Sequence, residues 1–317
     1  MTLSWIFLIV VASLAAVVVV SFIVEALRRA RQPPEKLAWA PDVPIQYAHS
    51  GGVRIRYIKT GAGPNLVLLH TLRTQLDLFE KVLPGLAKYF TVFALDYPGH
   101  GYSDIPRAGY DAEFFVRSVE DFLDALDLRN VTLCGVSIGG AIALIMAGRR
   151  NARVARVVAV NSYDYGKGRG MARSSLLGWM IMAASEIPVL GPTVMRLRNF
   201  IIMKAVLQGG VADPGSIRPA LVKEMYAVGN RRDHYRAFIA LLRNAASWEE
   251  ATKVYRYINV PVLLVWGDKD WAKASERNRN RDMIPSAQVS TVENSGHFLP
   301  LDRPRELCEL IIHFAGR

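Results

Sequence analysis

The sequence predicts an α/β fold: a mostly parallel sheet with helices on both faces and a helical cap inserted late in the chain. Three observations carry that prediction. From about residue 43, short apolar runs alternate with helical patterns. Between about 163 and 255 the alternation stops, and helices and loops take over. It then resumes and runs to the C-terminus. Alternation of this kind is what consecutive parallel strands joined by crossover helices produce.

The first element lies outside that rhythm. Residues 3–24 read LSWIFLIVVASLAAVVVVSFIV and contain no charge. A helix of this length spans about 33 Å, enough for the hydrocarbon core of a bilayer. A cleaved signal peptide would have a positive start and a shorter apolar stretch, whereas Met1-Thr2 is uncharged. Residues 1–27 therefore read as a single-pass anchor. Arg28, Arg29, Arg31 and Lys36 follow in a basic linker, 28–42, which Gln32-Pro33-Pro34 keeps from continuing the helix. Positive flanks favour the cytoplasmic side, so the remaining domain, 43–317, is expected there. The same arginines are expected to hold anionic headgroups.

Residues 45–49 and 53–59 are strand candidates split by Gly51-Gly52, a hairpin signal. Residues 65–70 (NLVLLH) form a continuous apolar run, as in a strand buried on both faces. Residues 90–96 and 131–136 repeat that pattern. Between them, 112–128 has helical spacing of Phe114, Phe115, Val119, Phe122 and Leu126. A helix over 139–149 and strands at 154–160, 260–266 and 288–292 follow, and 303–315 closes the chain as a helix.

Composition excludes other classes. The chain is 51% hydrophobic and 21% charged, as in ordinary globular proteins. Its two cysteines, Cys134 and Cys308, lie in apolar runs and suit buried thiols rather than a disulfide or metal framework. The net charge of +11 comes without zinc-finger spacing or a long basic run, so nucleic acid is not an expected partner.

The chemistry concentrates in Gly135-Val136-Ser137-Ile138-Gly139, between an apolar strand and a helix. A turn that tight leaves no room for Cβ atoms beside the serine. It lifts the hydroxyl clear of the sheet and aims a helix N-terminus at developing negative charge. A serine hydroxyl needs a positioned base. Of the six histidines, His297 stands in a polar loop, Asn294-Ser295-Gly296-His297, between the last strand and last helix. His49, His234 and His313 have no motif around them, and His70 and His100 belong to loops near the site. An orienting acid is expected at a strand end between Ser137 and His297. Asp270 is the first choice, Asp268 the second and Asp164 the third.

These motifs resemble the α/β-hydrolase superfamily over residues 43–315. The stretch Asp96-Tyr97-Pro98-Gly99-His100-Gly101-Tyr102-Ser103-Asp104 is similar to its D-x-P-G-x-G-x-S-x loop. Trp266-Gly267-Asp268-Lys269-Asp270 is similar to its acid turn, and Gly296-His297 to its base turn. The resemblance implies the α/β-hydrolase fold with an eight-stranded sheet, a lid and a Ser137–His297–Asp270 triad. It also implies oxyanion donors at the backbone N–H groups of Leu72 and Ile138. Serine at the elbow separates the chain from dehalogenase and epoxide-hydrolase relatives, which attack with aspartate there. One position departs: the family has glycine after the histidine at 70, and here Thr71 follows, with Arg73 two residues on. Thr71 is expected to adopt an ordinary extended conformation, and a hydroxyl or Arg73 to stand near the pocket.

The implied reaction is acyl transfer, which requires no metal or organic cofactor. The cap carries fourteen Lys/Arg against seven Asp/Glu over 163–256 and is rich in methionine and aliphatics. With the anchor, this points to a lipid-like ester or thioester, a layout similar to that of membrane-anchored monoacylglycerol lipases. The alternatives are carbon–carbon bond hydrolysis of diketone-type substrates and a non-catalytic ligand receptor or signalling protein on the same fold. Oligomeric state leaves no mark in the sequence.

Overall fold

The computed structural model describes residues 2–28 and 32–316. In chain order the elements are α1 (Leu3–Ala26), β1 (Lys36–Leu37), β2 (Ala40–Ser50), β3 (Val53–Thr60), β4 (Asn65–Leu69), α2 (Leu83–Leu86), β5 (Thr91–Leu95), α3 (Ala112–Ala125), β6 (Val131–Val136), α4 (Ile138–Gly148) and β7 (Val154–Val160). The helical insertion follows: α5 (Leu176–Ser185), α6 (Leu190–Arg196), α7 (Phe200–Gln208), α8 (Pro219–Gly229), α9 (His234–Arg243) and α10 (Ala246–Ala251), with short 3₁₀ turns between. Then come β8 (Val262–Gly267), α11 (Ala274–Met283), β9 (Gln288–Val292), α12 (Leu299–Asp302) and α13 (Pro304–Ala315).

The sheet order is β1-β2-β3-β5-β4-β6-β7-β8-β9. The β1–β2, β2–β3 and β3–β5 pairs are antiparallel and all others parallel. The central strands are buried on both faces because each faces a separate apolar layer. Val67, Leu69 and Leu133 join one layer with Phe115, Val119 and Phe122 of α3 and the whole of α4. Leu66, Leu68, Cys134 and Val136 join the other with Leu307 and Ile311 of α13. Asp111 starts α3 by accepting a hydrogen bond from the Phe114 N–H.

Two expectations are corrected. The sheet has nine strands among the described residues, because Lys36–Leu37 pairs with β2 and β2 itself begins at Ala40. Part of the predicted linker 28–42 is thus sheet edge. A two-residue strand carries no periodicity by which a sequence could reveal it. Arg28, expected to face headgroups, is instead spent inside the protein. It donates to Asn230 Oδ1 at 2.5 Å, to the Arg196 and Arg198 carbonyls, and to Glu25. Arg29 and Arg31 lie outside the described residues, and Lys36 is exposed.

Helix α1 is long and apolar enough to cross a membrane, by length and composition. Its last turns dock on the cap. Val18, Ser21, Val24, Glu25 and Arg28, one helical stripe, are the least exposed positions of the segment. Arg196 of α6 donates to Ser21 Oγ at 3.0 Å and lies 3.8 Å over the Phe22 ring. Glu25 pairs with Arg198 at 2.7 Å and accepts from the Asp233 N–H.

Candidate active site

The site forms where parallel strands end. Ser137 follows β6 directly, with φ 60° and ψ −117°. A non-glycine residue held there carries strain of order 1–3 kcal/mol, which the packed turn around it must maintain. The packing is tight: a Cβ on Gly135 would fall 2.0 Å from the Gly139 carbonyl oxygen, and one on Gly139 2.3 Å from that of Leu69. The glycines of the pentapeptide are therefore steric requirements.

Ser137 Oγ lies 2.8 Å from His297 Nε2, and His297 Nδ1 lies 2.5 Å from Asp270 Oδ1. All three side chains are at most 1% exposed. The carboxylate fixes the proton on Nδ1, so Nε2 is left to accept the serine proton. Asp270 Oδ2 accepts from the Ala272 N–H, which fixes the carboxylate in turn. The runner-up acids are occupied elsewhere. Asp268 is exposed and accepts from the Ser295 N–H. Asp164 is buried among Ser162, Tyr255 and Asn280, which all donate to it.

The backbone N–H groups of Leu72 and Ile138 donate to no acceptor among the described residues. That is expected for Ile138, the first residue of its helix. Two free donors, one on the residue after the serine and one on a residue lining the chamber of His297, suit an oxyanion. The loop bearing Leu72 is held by His70, whose Nε2 accepts from the Tyr97 N–H and whose Nδ1–H therefore donates to the Thr71 carbonyl at 2.8 Å. Burial pushes the His70 pKa down to about 3, which keeps it neutral for that role. Thr71 is not among the residues of positive φ, whereas Arg73 takes φ 62°. The loop around Asp96 explains its own glycine. The Asp96 carboxylate accepts from the Leu76 and Tyr102 N–H groups and pairs with Arg56, and a Cβ on Gly101 would sit 1.9 Å from it.

The remaining histidines divide. His49 and His313 are exposed, while His100 and His234 are buried behind the site. Two supporting residues were missed by the sequence reading. Asn161, at the end of β7, donates to the Gly296 and His297 carbonyls and accepts from the Gly267 N–H, tying the base turn to the acid strand. Asp302 accepts from the Gly296 and Ala212 N–H groups, tying the base turn to the cap. Lone polar residues after apolar runs gave no signal: the partners of Asn161 are all distant in sequence, and Asp302 links nearby Gly296 to distant Ala212.

Beside the histidine is a narrow chamber lined by Thr71, Arg73, Met171, Leu207, Trp271 and Phe298. Arg73 also borders an adjoining apolar cavity under the cap, with Met195, Ile202, Met203 and Phe238.

The alpha/beta hydrolase fold family matches residues 64–304, and the chain belongs to that family. An uncharacterised protein of Mycobacterium tuberculosis is 27% identical over 279 residues, covering 85% of this chain and 80% of its own. A haloalkane dehalogenase of Psychrobacter cryohalolentis is 27% identical over 316 residues, covering 90% and 97%. Among solved structures, Cfl2 of Burkholderia cenocepacia superposes with a TM-score of 0.77 at 22% identity, covering 89% of this chain and 99% of its own. The family is one of hydrolytic enzymes, and this chain is one of its members.

Proposed function

We propose that the protein is a membrane-anchored serine hydrolase that cleaves a carboxylic ester or thioester of a lipid-like substrate. The observation that carries this is the Ser137–His297–Asp270 chain of contacts beside two free N–H groups. Ser137 attacks the carbonyl carbon as its proton passes to His297 Nε2. The oxyanion is held by the Leu72 and Ile138 N–H groups. His297 then protonates the leaving alcohol or thiol as the acyl-enzyme forms. Water, deprotonated by the same imidazole, releases the acid and restores the serine. Asp270 keeps the ring oriented and supports its charge. Serine rather than aspartate at position 137 favours this chemistry over that of the dehalogenase relative.

The lipid-like substrate rests on the apolar lining of both cavities and on α1. The cap adds weight. Its α6 lies along the last turns of α1, and Trp179, Ile187, Val189, Leu190 and Ile201 are exposed on the cap. A surface of that kind next to a spanning helix belongs at the bilayer interface. The basic flank of the sequence after the apolar segment supports a cytoplasmic domain.

The test is labelling of Ser137 by a fluorophosphonate and turnover of p-nitrophenyl esters of graded chain length, both lost in Ser137→Ala. Absence of labelling in the wild type refutes the nucleophile. Labelling without turnover favours the receptor reading. Digestion of the hydrolase domain by protease added to intact cells refutes the cytoplasmic placement.

A further inference from the structure

We infer that Thr71 and Arg73 form a subsite for a carboxylate on the substrate, so that the ester cleaved at Ser137 is a monoanion with an apolar body. This deepens the hydrolase reading and rests on it.

Thr71 is the position where the chain departs from the glycine of its superfamily. Its side chain is 1% exposed, and its Oγ1 has no hydrogen-bond partner among the described residues. An unbonded buried hydroxyl is destabilising, so a site that retains one has a use for it. It lines the chamber that holds His297, where a substrate oxygen would meet it.

Arg73 lines the same chamber and the apolar cavity beyond it. Its φ of 62° is a conformation that side-chain-bearing residues seldom adopt, and it turns the chain at the site. The guanidinium is held between the Phe238 ring, 5.0 Å away, and the backbone of Gly229. A Cβ there would come within 3.0 Å of Nη2. Nη1 contacts His234 Nδ1 at 2.8 Å, the only hydrogen bond the guanidinium makes among the described residues. His234 is the acceptor, because burial and the facing arginines push its pKa well below the usual histidine range. Nε and Nη2 remain, and together they form one edge of the planar fork, which matches the two oxygens of a carboxylate.

No carboxylate among the described residues fills that edge. The charged groups around Arg73 are Arg198, Arg28 and a single acid, Glu25, and Glu25 is already bonded to both of those arginines. Burial and those cations lower the Arg73 pKa to about 9, which leaves it protonated at neutral pH. Apart from Asn199 and Arg198, whose charge Glu25 answers, the rest of the wall is methionine, aliphatic and aromatic. A cation without a counterion in such a wall favours a ligand that brings one. A purely structural arginine would need no free edge, and its loss would not alter the choice between substrates.

The experiment uses full-length protein in detergent and compares p-nitrophenyl hexanoate with mono-p-nitrophenyl adipate, esters of equal chain length with and without a terminal carboxylate. The wild type is expected to prefer the monoanion by about tenfold or more in kcat/KM. Arg73→Gln is expected to lower that ratio about 30-fold, because it strands a buried charge. Arg73→Lys restores part of it, and Thr71→Val lowers it several-fold. An equal ratio in wild type and Arg73→Gln, or a wild-type preference for the neutral ester, overturns the subsite. Fluorophosphonate labelling of each variant reports separately on the nucleophile. Calorimetry of monomethyl adipate against methyl hexanoate, with Ser137→Ala protein, reads the subsite without turnover. Equal binding of the two ligands overturns the proposal even if the protein hydrolyses neither ester.

Discussion

The indole of Trp271 lies flat on the imidazole of His297, with ring centroids 3.8 Å apart and planes 12° from parallel. Its N–H donates to the Gly209 carbonyl at the end of α7, so one side chain joins the base to the cap. Asp270 fixes the ring only along the Nδ1 direction, and the stack restrains its tilt. Trp271→Ala is expected to lower kcat about tenfold, near 1.4 kcal/mol of lost positioning, with a smaller change in KM. Trp271→Phe keeps a stacking face and should retain most of the rate. Steady-state kinetics on a short p-nitrophenyl ester decide this. A kcat for Trp271→Ala within about twofold of wild type would mean the indole only fills space.

The three acid candidates predict different losses. Asp270→Asn removes the charge facing His297 and lets the ring take the wrong tautomer, so kcat should fall about 10⁴-fold with the fold intact. Asp268→Asn retains an oxygen for the Ser295 N–H and should cost little activity. Asp164→Ala leaves the Ser162, Tyr255 and Asn280 donors buried without an acceptor. At about 1–3 kcal/mol each, that should appear as a lower urea midpoint. A large kinetic defect in Asp268→Asn at unchanged stability would transfer the orienting role to Asp268.

The sequence was most legible where chemistry is local. Apolar runs marked the buried parallel strands, because a strand covered on both faces has no polar side. The Gly135–Gly139 turn was readable because its residues stand together in sequence, and Gly135 answers a steric demand only four residues away. Legibility ended where partners are distant. Asn161 and the Gly296 and His297 carbonyls it serves are separated by 135 and 136 positions, and nothing near Asn161 announces them. The same limit hid Glu25. A carboxylate at the end of an apolar helix reads as the edge of a membrane segment, whereas its partner Arg198 lies 173 positions on. The nine-strand count was missed because β1 is held by pairing and not by composition.

Three histidines make stability pH-dependent. Burial pushes His70 and His100 down to about 3 and His234 well below the usual range. All three are therefore neutral in the folded chain near pH 5. In the unfolded chain they titrate near 6.5 and bind protons there. The unfolded state thus holds more protons as pH falls below about 6.5, and stability drops by about 1.4 kcal/mol per pH unit per histidine. Stability from this source is fully present above about pH 7. Urea denaturation at pH 7 and pH 5 should show the loss, and His100→Gln should make the slope shallower. A midpoint that does not change between those pH values would contradict the neutral, buried assignment.

Glu25 makes α1 part of the folded domain. It is 6% exposed, pairs with Arg198 at 2.7 Å, bonds Arg28 and accepts from the Asp233 N–H. Glu25→Ala strands the Arg198 guanidinium, which is itself buried, and such losses cost about 3–5 kcal/mol. The cap should loosen first, because Arg198 and Asp233 sit at the joints before α7 and α9. Hydrogen exchange on the detergent-solubilised protein should show reduced protection around residues 195–235, with the sheet unaffected. Adding Arg198→Leu to Glu25→Ala removes the stranded charge and should recover part of the stability, a coupling that independent sites would not give. The same contacts predict that the helix stays attached. Removal of α1 as a signal peptide would take Ser21 and Glu25 with it. The mature protein should therefore retain residues 1–28 by intact mass. Recovery of a chain beginning after residue 25, with an equally stable cap, would refute the docked helix.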